Sequence, residues 1–194
     1  MPPVKLRRSE RREQLSAVAW SILDSEGADS LTLGRLADRA GVTKPVVYDH
    51  FASRSALLVA LYSEFDAEQT QKLQRSLADA GFTLRAKAMA IAQSHVDCVL
   101  AHGSQLAGIL GALEGSPELE QLKREVEAAY IELCRNALNP FAATEVVSTA
   151  SMIAIIGAAE ALSQAAARES IPADEAVTEL VSVLISIVAP QDVQ

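Results

Sequence analysis

Apolar residues recur every three or four positions along most of this chain, which is the spacing of one face of an α-helix. The first such set is Leu15, Val18, Ala19, Ile22 and Leu23. Ser9 stands in front of this set as a candidate N-cap, and Gly27 follows it as a residue type that ends helices. The pattern predicts a first helix between Ser9 and Gly27.

Two short helices joined by a glycine turn are predicted next, in the stretch LTLGRLADRAGVTKP. The inner face of the second helix comprises Leu33, Leu36, Ala37 and Ala40. Thr32 is its expected N-cap, and Gly41 supplies the left-handed residue that ends it. Thr43 is the expected cap of the third helix, whose first turn tolerates Pro45 because no intrahelical hydrogen bond is lost there.

The remainder of the chain also has helical spacing. Ser53 is expected to cap a fourth helix, and further helices are predicted at residues 83–103, 104–113, 117–138, 144–168 and 173–189, with breaks near Gly81 and Gly103. No sustained alternation and no Asn-Gly turn indicates a strand. The pattern predicts an all-α protein with a small N-terminal domain at residues 1–54 and a larger helical domain at residues 55–194.

The charge of the chain is divided unevenly between these two predicted domains. Residues 1–54 carry nine Lys or Arg and seven Asp or Glu, whereas the remainder carries eight and eighteen, within a total net charge of −8. The early cations include Lys5, Arg7, Arg8, Arg11 and Arg12. A basic arm in front of a folded module is suited to contact with polyphosphate, and a disordered solubilising tail is the alternative.

Other features of composition narrow the class of protein. The apolar stretch from Val181 to Ala189 is too short to span a bilayer, and the N-terminus lacks the apolar segment of a signal peptide. Cys98 and Cys134 fit no paired-ligand spacing, so reduced thiols are expected. We therefore expect a cytoplasmic protein with no membrane partner.

A glycine-turned helix pair can place its second helix in the major groove of DNA. The residues expected to face the core are Trp20, Val42, Val47 and Phe51. The residues expected to face outward are Lys44, Pro45, Tyr48 and His50. A generic small bundle, with merely solvated outer residues, is the structural alternative.

The chemistry of the outward residues suits a nucleic acid. Thr43 and Lys44 would lie at a helix N-terminus, where free backbone N–H groups favour phosphate. Lys44 can reach guanine acceptors or the backbone, and Tyr48 offers a hydroxyl for phosphate and a ring for a thymine methyl group. Arg54, at the start of the fourth helix, is expected to clamp a further phosphate.

The stretch LTLGRLADRAGVTKPVVYDHFASRSALL resembles the tetracycline-repressor-like (TetR/AcrR) transcriptional regulators, and the resemblance extends from about Arg11 to Phe65. It implies an N-terminal helix-turn-helix DNA-binding domain, a C-terminal helical ligand-binding and dimerisation domain, and a homodimer that reads a palindromic operator. With the arm residues included, the predicted DNA-binding set is Arg7, Arg8, Thr32, Thr43, Lys44, Pro45, Tyr48, His50 and Arg54. Gly34 departs from the family pattern, which often has a larger polar residue there.

Two apolar segments in the C-terminal domain are candidates for a dimer interface, because a helix that is apolar on more than one side must be buried on more than one side. The predicted interface residues are Ala150, Ala154, Gly157, Ala158, Ala161, Val177, Leu180, Val181 and Leu184. A four-helix interface between two copies follows from this assignment. The alternative is that both helices complete the core of one copy.

Polar residues embedded in apolar helices are the clues to a ligand pocket, because burying them unpaired costs about 1–3 kcal/mol. The predicted pocket residues are Met89, His95, Cys98, His102, Gln105, Leu106, Ile109, Tyr130, Met152, Ile156 and Glu160. Each polar member also has a purely structural interpretation. A metal site at His95, Cys98 and His102 is conceivable by helical spacing, but no further ligands complete it, so no metal and no cofactor are predicted.

These observations predict a ligand-responsive DNA-binding regulator, released from its operator by a small-molecule inducer, with repression favoured over activation. No nucleophile and base stand at a diagnostic spacing, so an enzyme is not predicted. A helical-bundle enzyme and a helical protein-interaction module that uses TKPVVYDHF are the alternatives. Salt dependence distinguishes DNA binding from the interaction module.

Overall fold

The computed structural model describes residues 6–143 and 145–189. In these ranges the chain forms eight α-helices, two short 3-10 helices and no strand, which confirms the all-α prediction. The α-helices are α1 (Arg8–Glu26), α2 (Leu33–Ala40), α3 (Lys44–Tyr48), α4 (Arg54–Asp79), α5 (Leu84–Ala112), α6 (Pro117–Leu138), α7 (Thr149–Ala167) and α8 (Ala173–Val188). The 3-10 helices are Ala28–Ser30 and Asn139–Phe141. Lys5 of the basic arm lies outside the described residues.

Three helix boundaries differ from those predicted. Ser9 lies inside α1, which begins one residue earlier, because the Glu10 carboxylate accepts a hydrogen bond from the Arg7 backbone N–H at 2.8 Å. α5 continues through Gly103, where the predicted break is wrong because a lone glycine costs a helix only about 1 kcal/mol. α7 begins at Thr149, not near 144, because Ser148 is its N-cap and accepts a hydrogen bond from the Ser151 N–H at 3.0 Å.

The chain divides into two compact units. The first unit contains the residues up to Phe65 together with Ser104–Leu122, and the second contains Asp66–Gly103 and the residues from Lys123 onward. This division differs from the single boundary predicted after Arg54, because α4, α5 and α6 each contribute residues to both units.

The core of the first unit is built from α1 to α4 and the residues of α5 and α6 that belong to this unit. Leu36, Val47 and Leu58 are fully buried in it, and Phe51 is 2% exposed. This core fixes the positions of α2 and α3, so the short α3 is held by packing and not by its own helix propensity.

The core of the second unit has α7 packed along α8, with residues from α4, α5 and α6 around them. Met152, Leu180 and Leu184 are fully buried in it. Among the described helices, α7 passes the length and hydropathy test for a membrane-spanning segment, a test that core helices of soluble proteins also pass.

Candidate nucleic-acid interface

The turn between α2 and α3 follows the predicted pattern. The Thr32 hydroxyl oxygen accepts a hydrogen bond from the Arg35 N–H at 3.0 Å, which caps α2. Gly41 has φ +66° and ψ +34°, and the Val42 N–H reaches back to the Ala37 carbonyl at 3.0 Å. A side chain would be strained in this left-handed conformation, which explains why a glycine occupies the position where α2 ends.

α3 starts at Lys44 with Pro45 in its first turn, as predicted. Thr43 occupies the N-cap position, but its side chain makes no capping hydrogen bond, so the prediction of a threonine cap is wrong. The reason is local: Pro45 has no N–H, and the Val46 N–H bonds the Thr43 backbone carbonyl at 3.0 Å instead. The Thr43 side chain is exposed and is not used to cap the helix.

The two faces of α3 differ as the sequence predicts. Val47 is fully buried and Phe51, just beyond the helix, is 2% exposed, so both anchor α3 to the core. Lys44 and Pro45 are exposed, and Tyr48 is 56% exposed although its ring is large and partly apolar. A helix anchored in this way presents Lys44, Pro45 and Tyr48 on one rigid surface.

The start of α1 lies beside the end of α3. The Arg8 guanidinium donates a hydrogen bond from Nη2 to the Asp49 backbone carbonyl at 3.3 Å. Arg7 pairs with Glu10 at 2.6 Å, whereas Arg12 pairs with Glu64 at 3.1 Å. Arg12, absent from the predicted set, also lies over the Phe51 ring at 4.9 Å from its centroid.

His50 lies among these cations at the end of α3. Its ring is partly buried and stands 6.4 Å from that of Phe51. Burial lowers the pKa of His50, and the positive charges of Arg8, Arg12 and Arg11 lower it further, against the opposing effect of Asp49. The free protein therefore favours a neutral imidazole at a position where a nearby anion would favour the charged form.

Arg54, predicted to clamp a phosphate, makes two hydrogen bonds within the protein. Its Nε donates to the Leu31 carbonyl at 2.8 Å and its Nη2 donates to the Ala28 carbonyl at 2.7 Å. Both partners are backbone groups around the 3-10 turn that precedes α2, so Arg54 ties the start of α4 to that turn. Its guanidinium is partly buried and uses Nε and Nη2 for these carbonyls, which favours a structural role over a phosphate clamp.

The predicted dimer residues fall into two classes in the second unit. On α7, Ala150, Ala154, Gly157 and Ala161 are exposed, and Ala158 is partly buried. On α8, Val177, Leu180, Val181 and Leu184 are at most 6% exposed, because they fill the core of their own unit. These four α8 side chains therefore have little surface left for contact with a second copy.

The exposed side of α8 is polar, with Thr178, Glu179 and Ser182 on it. α7 differs, because Ile153 is 62% exposed beside the small residues of its outer side. On α8, Val183, Ile185 and Ile187 are partly buried, so Ile153 of α7 is the most exposed large apolar side chain on these two helices.

The predicted pocket residues are divided between the two units. Gln105, Leu106 and Ile109 belong to the first unit, where Gln105 Nε2 donates to the Asp24 carboxylate at 3.0 Å and Ile109 is fully buried. Met152 is fully buried in the core of the second unit, Ile156 is partly buried, and Met89 and Glu160 are exposed. Helical spacing alone groups residues whose helices face different cores.

A cleft of about 320 Å³ lies between α4 and α5 in the second unit. It is lined by Gln69, Lys72, Ser76, Gln93, Ser94, Asp97, Cys98, Ala101 and His102. Cys98 and His102 are the two members of the predicted pocket set that line it. The other lining residues are mostly polar, and no sequence signal marks them because they stand on the solvated side of long helices.

His95 and Tyr130 contact each other, with His95 Nδ1 at 3.2 Å from the Tyr130 hydroxyl. Burial lowers the pKa of His95 and raises that of Tyr130 well above its usual value. Burial also raises the pKa of Cys98 and brings that of Cys134 to about 12, so both thiols stay protonated at neutral pH. No metal-binding group of three His, Cys, Asp or Glu residues occurs in the described part of the chain.

Residues 15–61 match the family model described as bacterial regulatory proteins, tetR family. The matched range extends from α1 to the beginning of α4 and includes the whole helix pair with its glycine turn.

Two curated relatives illustrate the similarity. The chain is 42% identical over 57 residues to the HTH-type transcriptional activator FasR of Mycolicibacterium smegmatis, covering 29% of this chain and 26% of the relative. It is 32% identical over 117 residues to the tetracycline repressor protein class A from transposon 1721 of Escherichia coli, covering 58% and 52%. The chain spans about half or less of the length of these relatives.

Solved structures extend the likeness over the whole fold. A putative transcriptional regulator from Pseudomonas aeruginosa PAO1 has a TM-score of 0.82 at 14% identity, covering 96% of this chain and 94% of that one. A regulator of the TetR/AcrR family from Thermobifida fusca has a TM-score of 0.69 at 25% identity, covering 94% and 99%.

Proposed function

We propose that this chain, which is similar to the TetR family of bacterial regulatory proteins in its N-terminal helices and in its fold, is a transcriptional repressor that binds a palindromic operator as a homodimer. A small-molecule inducer releases it from DNA. The observation that carries the proposal is the outer surface of α3, where exposed Lys44, Pro45 and Tyr48 stand on a helix anchored by the buried Val47 and Phe51.

The chemistry of this surface fits a DNA groove. A major groove admits one α-helix, and Tyr48 brings to it a ring for a thymine methyl group and a hydroxyl for phosphate. The Thr43 side chain makes no capping bond and is available to an oxygen of the DNA backbone. Arg8 lies at the opposite end of α3, where its guanidinium brings positive charge to the same surface, and the neighbouring His50 imidazole can gain a proton beside an anion.

Two copies are needed for specificity, because one helix-turn-helix domain, here called a head, contacts only a few base pairs. The exposed side of α7 supplies a surface for pairing, with Ile153 among small residues that allow close helix approach. An uncovered isoleucine that is 62% exposed favours burial against a second copy of α7. We propose α7 as the centre of the dimer interface.

The inducer is proposed to bind in the cleft between α4 and α5. α4 is one continuous helix: Leu57, Leu58 and Leu61 pack in the core of the first unit, while Lys72 lines the cleft. A ligand that prefers one position of α4 over another shifts the population of the two states by its difference in affinity between them. Inducer binding thus lowers the population that binds the operator.

The experiment that tests the proposal is selection of bound sequences from a random DNA pool, followed by binding measurements with variants. A palindromic sequence should be enriched, and its affinity should fall steeply with salt. Lys44→Ala and Tyr48→Ala should weaken binding while circular dichroism shows them folded. Arg85→Ala, which removes an exposed cation from the second unit, is the matched control and should bind normally.

Two results would reject the proposal. One is a pool without enrichment, which removes DNA as the partner. The other is binding that does not depend on salt and is unaffected by both α3 variants, as expected for a protein-interaction module or an enzyme.

A further inference from the structure

Gly34 stands in the first turn of α2, directly beneath the side chain of Lys44 from α3. A methyl group placed on Gly34 would lie 3.6 Å from Lys44 Cε and 3.9 Å from Lys44 Nζ. The same methyl group would lie 3.9 Å from the Thr32 hydroxyl oxygen. The Lys44 side chain therefore crosses from α3 to α2 and occupies the space that a longer side chain at position 34 would need.

The position of the Lys44 ammonium group is thus set by available space. Lys44 is exposed and forms no ion pair with any carboxylate among residues 6–143 and 145–189. The Thr32 oxygen accepts the Arg35 N–H, which leaves its own proton free to donate. An ammonium and a hydroxyl donor are consequently held beside each other on the outer side of α2.

The sequence allows Lys44 to contact either guanine acceptors or the DNA backbone, and this arrangement distinguishes the two. In a helix-turn-helix the second helix enters the major groove, whereas the first helix crosses the DNA backbone. A lysine laid back against α2 is placed at the backbone, away from the base edges that α3 faces. Phosphate contacts position a protein on DNA but carry no sequence information.

We propose that Gly34 is a positioning residue, which directs Lys44, together with Thr32, to a backbone phosphate and not to a base. This inference rests on the proposed DNA-binding function. A methyl group at position 34 makes only ordinary contacts with Lys44, so alanine preserves the arrangement. A leucine reaches beyond that methyl group, displaces the ammonium and removes the phosphate contact.

A double-mutant cycle tests the positioning role. Affinity for the selected operator is measured by fluorescence anisotropy over a range of salt for the native chain, Gly34→Ala, Gly34→Leu, Lys44→Ala and the double variant G34L/K44A. Gly34→Ala should bind normally. Gly34→Leu and Lys44→Ala should each lower the salt slope by about 0.9 per head, equivalent to about fivefold in affinity per head at physiological salt. G34L/K44A should bind no more weakly than Lys44→Ala alone.

A panel of operators with single base-pair changes tests the phosphate assignment without altering position 34. Lys44→Ala should weaken binding to every operator by the same factor. If Lys44→Ala loses discrimination at one base pair, the phosphate assignment of Lys44 is overturned. The positioning role of Gly34 is overturned if Gly34→Leu binds like the native chain, or if its effect adds in full to that of Lys44→Ala. Thermal unfolding checks that each variant is folded, and Gly34→Met, with a more flexible side chain, is the second variant.

The outcomes separate the two levels of the proposal. If the native chain selects no operator, the DNA-binding function itself fails. If it selects one and the costs at positions 34 and 44 simply add, DNA binding stands and only the positioning role of Gly34 is rejected.

Discussion

Arg54 is the residue for which the structure changes the expected phenotype most. Its Nε and Nη2 groups donate to the carbonyls of Leu31 and Ala28 at 2.8 and 2.7 Å. These two bonds join the first turn of α4 to the segment between α1 and α2. Replacing Arg54 with alanine removes both bonds and leaves two backbone carbonyls without their charged donor.

The size of the effect follows from these bonds. A hydrogen bond to a charged group contributes about 1.5–3 kcal/mol to stability. Arg54 is only partly buried, so water replaces part of the lost interaction, and a loss of about 2–4 kcal/mol is expected for the pair. Native proteins have about 5–15 kcal/mol of net stability, and the loss corresponds to a fall in Tm of about 5–15 °C.

Urea unfolding followed by circular dichroism measures this loss. Arg54→Lys is the graded variant, because an ammonium keeps the charge but lacks the planar fork that reaches two carbonyls at once. It should have an intermediate stability. Arg85→Ala removes an exposed arginine that has no hydrogen bond or ion pair with the described residues, and should leave the midpoint unchanged.

Operator binding provides the opposite test. If Arg54 is structural, the folded fraction of Arg54→Ala should show the same salt slope as the native chain. A phosphate clamp predicts the reverse, with unchanged stability and a slope lower by about 0.9 per head. That second pattern would refute the structural role assigned to Arg54.

Three further predictions concern other parts of the molecule. Burial and nearby arginines lower the pKa of His50 in the free protein, whereas a DNA phosphate would raise it. The complex would then bind more protons than the free protein, so operator affinity should rise as pH falls. The expected rise is up to about tenfold per pH unit for each head. Anisotropy titrations between about pH 5.5 and 8, on either side of the ordinary histidine pKa, measure this; His50→Asn should abolish the dependence, and a native chain insensitive to pH would contradict it. Ile153→Asp should convert the dimer to monomers in sedimentation experiments, whereas Thr178→Asp on the polar side of α8 should remain dimeric, and the opposite pattern would place the interface on α8. Gly41→Ala should destabilise the fold by about 1–2 kcal/mol in urea unfolding, because φ at Gly41 is +66°. Gly111→Ala, in open space on a helix, should instead stabilise the fold by about 0.5–1 kcal/mol. Equal effects of the two substitutions would show that backbone conformation is not the cause.

The features that the sequence predicts correctly are those set by neighbours along the chain. Thr32 caps α2 through the N–H three residues later, and Gly41 ends the same helix through its own backbone conformation. Pro45 fits the first turn of α3 for the same kind of reason. The buried Val47 and exposed Tyr48 follow from the periodicity of one short helix against one core.

The features that it misses depend on contacts distant along the chain. Arg54 binds carbonyls 23 and 26 positions earlier, and no residue type marks a backbone carbonyl as a partner. An apolar stripe on α8 has the same periodicity whether it covers the core of its own unit or a second copy, so periodicity does not show that Leu180 and Leu184 are fully buried within one copy. Conversely, the residues that line the cleft have the sequence pattern of an ordinary solvated helix face.

The length of α4 bears on how far a small movement is carried. Its 26 residues contain neither glycine nor proline, so it spans about 39 Å without a built-in point of bending. Simple lever geometry then gives about 3 Å of displacement at one end for a tilt of about 5° around the other. Such a shift is as long as a hydrogen bond, so a small tilt of a helix of this length is enough to break contacts made at its end.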